Sequence, residues 1–165
     1  MDDSVATMLA VLDLDSGAAR TTEDIFTGLS HPMPGGRIFG GQVLAQAILA
    51  ADRTTGDDRV PHSMHGYFLR PGDSAQGLTL AVDRIHDGRS FSTRRTQAFQ
   101  HGVPIFSMIA SFEDEDPGLD HQASAPDDVM PPEEALLLTE AAATHPLSRR
   151  LLSDSPIELA QIGRA

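Results

Sequence analysis

One stretch constrains this chain more than any other. Ile38-Phe-Gly-Gly-Gln-Val-Leu-Ala-Gln-Ala-Ile-Leu-Ala-Ala51 is apolar on almost every side. It is too long for an ordinary strand and long enough for a helix. After the two glycines its only polar side chains are Gln42 and Gln46, four residues apart and so on one face. A helix apolar nearly all round is buried nearly all round, so another element must wrap it.

The residues that follow can do so. Val60 to Leu69, Gly77 to His86, Ser90 to Gln100 and Val103 to Phe112 all read as strands. Asp87-Gly88 and His101-Gly102 separate the last three as hairpin turns would, and Arg70-Pro-Gly-Asp73 is a turn signal between the first two. Ahead of the helix, Ser4 to Leu14 reads as a short amphipathic helix, with Val5, Met8, Leu9 and Leu12 at helical spacing. Asp24 to Leu29 reads as a short strand, and residues 31–36 as a loop. The expectation is an α+β fold: an antiparallel meander of at least four strands, curved around one central helix.

With 165 residues the chain can bury a real core. It has no cysteine, which removes disulfides, thiolate catalysis and Cys-zinc sites together. It lacks any apolar run long enough to span a bilayer. Acids follow Met1 where a signal peptide carries basic residues, so a cytoplasmic location is expected. All 12 basic side chains are arginine, set against 24 acids, for a net charge of −12. Such a chain is a poor general binder of nucleic acid or anionic membrane. The arginines concentrate in residues 37–112, the only stretch suited to an anionic ligand.

After Phe112 the composition changes. Glu113-Asp-Glu-Asp116 ends the last strand, and the Pro-, Asp-, Ser- and Ala-rich residues 118–132 read as a linker. A second helix is expected from Pro132 towards Thr144, and a new strand over Ser155–Ile162. The expected organisation is one domain over 1–116, a linker with a helix over 117–154, and the start of a further domain over 155–165.

Several residues carry candidate chemistry. Gly40-Gly41 opens the central helix, where free N–H groups can hold an oxyanion or polarise a carbonyl; packing of helix on sheet asks for glycine equally well. Gln42 and Gln46 either line a cleft or hydrogen-bond the 31–36 loop, and the structural role is preferred. His62 and His65, three apart on a strand, are expected on opposite faces, which argues against a shared metal. Either can serve as a base or simply as a hydrogen-bonded strand histidine. Arg70 can pair with Asp73 or with a neighbouring domain.

Four segments in register resemble the N-terminal half of type II acyl-CoA thioesterases: Arg37-Ile-Phe-Gly-Gly-Gln-Val-Leu-Ala-Gln46, His62-Ser-Met-His-Gly-Tyr-Phe-Leu-Arg-Pro-Gly-Asp73, Asp87-Gly-Arg-Ser-Phe-Ser-Thr-Arg-Arg95 and Pro104-Ile-Phe-Ser-Met-Ile-Ala-Ser-Phe112. The resemblance implies a double hot-dog fold, two tandem domains with a curved sheet around one long helix. It implies hydrolysis of fatty acyl-CoA by water, without metal or redox cofactor. In that family the catalytic Asp, Thr or Ser, and Gln come from the second half, so this chain is expected to lack them. Single-domain relatives carry an acidic base on or near the central helix, and none stands between Phe39 and Ala51. The substrate-binding set implied here is Gly40, Gly41, Gln42, His62, His65, Arg89, Ser90, Phe91, Arg94 and Arg95. Within it, Arg89 or one of the Arg94–Arg95 pair either meets a phosphate of CoA or forms salt bridges within the fold or to the missing domain, and the salt-bridging role is preferred. The implied partners are acyl-CoA and a second hot-dog domain, from a missing half or a homo-oligomer. The alternatives are a non-catalytic acyl-CoA binding module and a single hot-dog enzyme active as a homodimer.

Overall fold

The apolar stretch forms the central helix of a wrapped sheet. The computed structural model describes residues 3–17, 23–33, 35–126 and 131. The elements are α1 (Asp3–Leu12), β1 (Asp15–Gly17), β2 (Asp24–Gly28), α2 (Gly40–Asp52), β3 (Arg59–Phe68), β4 (Leu78–Asp87), β5 (Phe91–Gln100) and β6 (Val103–Asp114). The chain divides into two units, Ala6–Asp116 and Met1–Val5 with Pro117–Ala165. In the latter, residues 117–126 carry no helix or strand. The helix expected from Pro132 and the strand expected over Ser155–Ile162 lie outside the described residues. Among the described residues no helix is long and apolar enough to cross a membrane.

Six strands form one sheet in the order β1-β2-β4-β5-β6-β3, every neighbour antiparallel. The four-strand meander expected from the sequence is therefore corrected: only β4, β5 and β6 follow one another. Their connections are tight. His101 and Gly102 both take positive φ, 50° and 73°, as a two-residue hairpin turn with the right twist demands. The 69–77 connection is longer and closes no hairpin. The Leu69 and Arg70 N–H groups both donate to Ile105 O, which fastens the chain to β6 before it crosses to β4. β3 consequently lies at the far edge, paired with β6 alone.

The alternation in β5 shows which face holds the core. Ser92, Arg94, Thr96, Ala98 and Gln100 are buried under the helix, and the residues between them are not. Val43, Ala47, Ala50 and Ala51 of α2 pack on Phe26, Leu78, Leu80, Val82, Ala98, Phe106, Met108, Ala110 and Phe112. Alanine on the sheet-facing side lets the helix approach closely. Leu44, Ala45, Ile48 and Leu49 are only half-buried, so the wrapping expected on nearly every side is incomplete within the described residues. In α1 the buried position is Val11 rather than Leu9, which is 52% exposed. β3 is half-buried only at Arg59 and Gly66, and exposes Val60, Met64, Tyr67 and Phe68.

Candidate active-site cleft

A cleft of about 560 Å³ opens beside the N-terminus of α2. Ile38, Gly40, Val43, Phe68, Leu69, Pro71, Gly72 and Ile105 line it, with Arg37 and Arg70. Its walls are tied together by backbone. Ile38 N–H donates to Gly72 O at 3.0 Å, and Ser74 N–H donates to Gly36 O at 2.9 Å. Buried Gln100 pins the adjoining turn: its amide nitrogen donates to Asp73 O at 2.8 Å and Gln76 O at 3.0 Å, and its oxygen accepts Asp73 N–H at 2.8 Å. Two glycines keep the floor narrow. A Cβ on Gly72 would sit 2.9 Å from Ile105 Cδ1, and one on Gly40 3.1 Å from Phe68 Cζ.

α2 begins without a side-chain cap; Phe39 precedes it and offers none. Phe39 O accepts from Gln42 N–H and Val43 N–H. The Gly40 and Gly41 N–H groups have no acceptor among the described residues, as the first turn of any helix leaves them. Gly41 is exposed and Gly40 half-buried. Two such N–H groups with no Cβ over them can donate to a developing negative oxygen.

Gln42 and Gln46 are buried and fully engaged. Gln42 accepts His31 N–H at 3.0 Å and donates to Leu29 O at 3.2 Å and Gln46 Oε1 at 3.1 Å. Gln46 donates to Val11 O at 2.6 Å and Leu29 O at 2.9 Å. Both amides fasten the helix to the segments before it.

The remaining expected site residues lie elsewhere. Arg94 is 1% exposed and points under the sheet near the other end of α2. It donates to Thr54 Oγ1 at 2.8 Å, Thr54 O at 2.9 Å, His86 O at 3.0 Å, Thr93 O at 3.1 Å and Asp87 at 2.5 Å. No N–H remains for a phosphate: of the two readings the sequence left open, Arg94 takes the salt bridge within the fold and not the phosphate contact. The Arg94 guanidinium holds the Asp87 carboxyl below the usual carboxylate range, and the Ser92 hydroxyl adds to the effect. Arg95 points outward, as the alternation requires, and pairs with Asp83 at 2.5 Å. Arg89, Ser90 and Phe91 form and follow the β4–β5 turn and are exposed. This turn is tied to Arg59, which follows the C-terminal end of α2, whereas Gly40 stands at the N-terminal end of that 13-residue helix.

The expectation for the histidines is also corrected. A bulge between Pro61 and Ser63 resets the alternation of β3. His62 thereby joins His65 on the outer face, away from α2. Its Nε2 lies 2.8 Å from Ser111 Oγ, its Nδ1 4.0 Å from Glu113, and its ring 5.7 Å from that of Phe91. The His65 ring meets Tyr67 edge-on at 4.7 Å. Among the described residues no three His, Asp or Glu gather as a metal site.

Arg70 does not pair with Asp73. It donates to Pro104 O at 2.7 Å, while Asp73 accepts Ala75 N–H at 2.9 Å. Arg37 was not among the sequence candidates. Its place at the cleft follows from an isolated bridge to Asp73, a pairing between distant segments that no local pattern announces.

Comparison with known proteins gives the family and the fold. Residues 29–113 match the family described as the acyl-CoA thioesterase N-terminal domain. The chain is 44% identical to human acyl-coenzyme A thioesterase 8 over 115 residues, covering 69% of this chain and 36% of that protein. It is 34% identical to acyl-CoA thioesterase 2 of Haemophilus influenzae over 164 residues, 96% of this chain and 56% of that one. The crystal structure of an acyl-CoA thioesterase II from Mycobacterium marinum superposes with a TM-score of 0.67 at 39% identity, covering 78% of this chain and 47% of the other. The chain thus spans between about a third and rather more than half of these relatives. Its α+β architecture is the hot-dog fold, and the chain belongs to the acyl-CoA thioesterase N-terminal domain family.

Proposed function

We propose that this chain is the N-terminal hot-dog half of an enzyme that hydrolyses fatty acyl-CoA to free fatty acid and CoA. The observation that carries the reading is the apolar cleft opening beside the Gly40 and Gly41 amides, which have no acceptor among the described residues. A thioester lying there would direct its carbonyl oxygen at those N–H groups. Water adds to the carbonyl carbon, the oxygen takes up negative charge against the two donors, and the C–S bond breaks to release CoA as its thiol. The group that removes the proton from water is not on α2, whose only acid is Asp52 in its last turn. We assign it to a second hot-dog domain docked along the exposed β3 edge. The enzyme works in the cytoplasm and needs no metal.

The test is thiol release from dodecanoyl-CoA and palmitoyl-CoA. A thiol reagent reads only liberated CoA, because this chain has no cysteine and any domain fused to it is made cysteine-free. The chain is assayed alone and fused through its C-terminus to the second hot-dog domain of a homologous thioesterase, each shown to be folded by circular dichroism. The expected result is no turnover alone and turnover in the fusion. Turnover alone that survives repurification overturns the half-enzyme reading. Binding without turnover in either form identifies a non-catalytic binding module instead.

A further inference from the structure

We propose that Arg37 and Arg70 grip the diphosphate of CoA at the mouth of the cleft, with the pantetheine arm lying along its apolar wall towards Gly40. The inference rests on the reading above and names the groups that recognise the nucleotide half of the substrate. The first argument is charge. In a chain with 24 acids and 12 arginines, unpaired guanidinium groups are conspicuous. Arg53, Arg59, Arg84, Arg94 and Arg95 each meet a carboxylate within 4.0 Å. Arg37 and Arg70 meet none among the described residues, and both line the same cleft. The nearby acid, Asp73, is turned to Ala75 N–H.

The second argument is rigidity. Arg70 is anchored by its bond to Pro104 O, by the donation of its own N–H to Ile105 O at 3.2 Å, and by Pro71 behind it. Arg37 is held by the short ladder between residues 36–38 and 72–74. The ladder fixes where the Arg37 side chain starts, and the Arg70 guanidinium, itself held before the ligand arrives, loses less side-chain freedom on binding it. The third argument is the shape of the ligand. Ile38, Val43, Phe68, Leu69 and Ile105 suit the methylene and gem-dimethyl stretches of the pantetheine arm, and two guanidiniums carry more charge than one carboxylate neutralises. A diphosphate engages both. Arg89 is also unpaired among the described residues, but it belongs to the β4–β5 turn at the other end of the helix.

The experiment measures binding of dodecanoyl-CoA, CoA and dodecanoate to the folded chain by calorimetry, for the wild type and for Arg37→Gln, Arg70→Gln and Arg89→Gln. Arg37 is exposed and makes no side-chain bond among the described residues, so Arg37→Gln leaves the fold intact. The expected result is about tenfold weaker binding of dodecanoyl-CoA and of CoA in Arg37→Gln and in Arg70→Gln, with a shallower salt dependence, and no change in Arg89→Gln. Wild-type affinity in Arg37→Gln and Arg70→Gln overturns the inference while leaving the thioesterase reading in place. Dodecanoate binding that depends on the same two arginines as strongly overturns the choice of phosphate. If the wild type binds no dodecanoyl-CoA, both the inference and the reading fall.

Discussion

Arg94→Met separates a structural arginine from a ligand-binding one. Methionine keeps most of the side-chain volume, so little cavity forms. What disappears is the bonding. Thr54 Oγ1 and Thr54 O both lose their Arg94 donor, and Thr54 is only 5% exposed. A buried acceptor left unsatisfied costs about 1–3 kcal/mol. Asp87 also loses its partner, but its side chain is 54% exposed, so water reclaims it at small cost. The sum is about 3 kcal/mol, a fall in Tm of roughly 15 °C for a unit of this size. Asp87→Asn should cost well under 1 kcal/mol, because the bonds to Thr54 survive. Urea unfolding followed by far-ultraviolet circular dichroism reads both. A loss below about 1 kcal/mol in Arg94→Met, or equal losses in the two variants, would refute the claim that Arg94 ties β5 to the end of α2.

Three further outcomes are expected. Gly28→Ala places a Cβ 2.6 Å from Gln46 Nε2 and 2.7 Å from Leu14 Cδ2, and should cost about 2 kcal/mol by thermal melting; a neutral result would mean that the Gln46 anchor moves freely. Asp87 titrates below its unfolded value of about 3.9, so its contribution is complete above that pH and is lost as pH falls through the lowered folded value. Stability should therefore drop on acidification below about pH 4, and Asp87→Asn should flatten that part of a pH-melting series. The purified chain should self-associate through β3, and Val60→Lys with Met64→Lys should shift it towards monomer in sedimentation; a monomeric wild type would refute the role of this edge.

The helix and long strands were legible because their patterns are local. Ile38–Ala51 announces α2 by being apolar all round, and His101-Gly102 announces its hairpin by a residue pair that accepts positive φ. β3 was placed beside the wrong neighbour, because a turn signal at Arg70–Asp73 says that the chain bends and not where it goes next. The sequence predicts His62 and His65 on opposite faces, but a bulge shifts the alternation by one, and its cause lies in the pairing with β6. The alternation of Arg94 and Arg95 was readable, but burial that consumes every donor of Arg94 was not, since Thr54 and Asp87 reach it from separate elements. The cleft stayed invisible for the same reason: residues 36–38 and 72–74 meet only in the folded chain.

The position of β3 sets an order of events. Arg59 faces Asp114, 55 residues later, while β4, β5 and β6 close on one another through short turns. During synthesis β3 leaves the ribosome before the strand that will receive it exists. Loop closure over such a span is slow compared with hairpin formation, so the three-strand core should assemble first and β3 join last. The strand that waits longest for its native partner is also the one that keeps an open edge afterwards. The surface offered to another domain and the segment most exposed to misassembly during folding are thus the same ten residues.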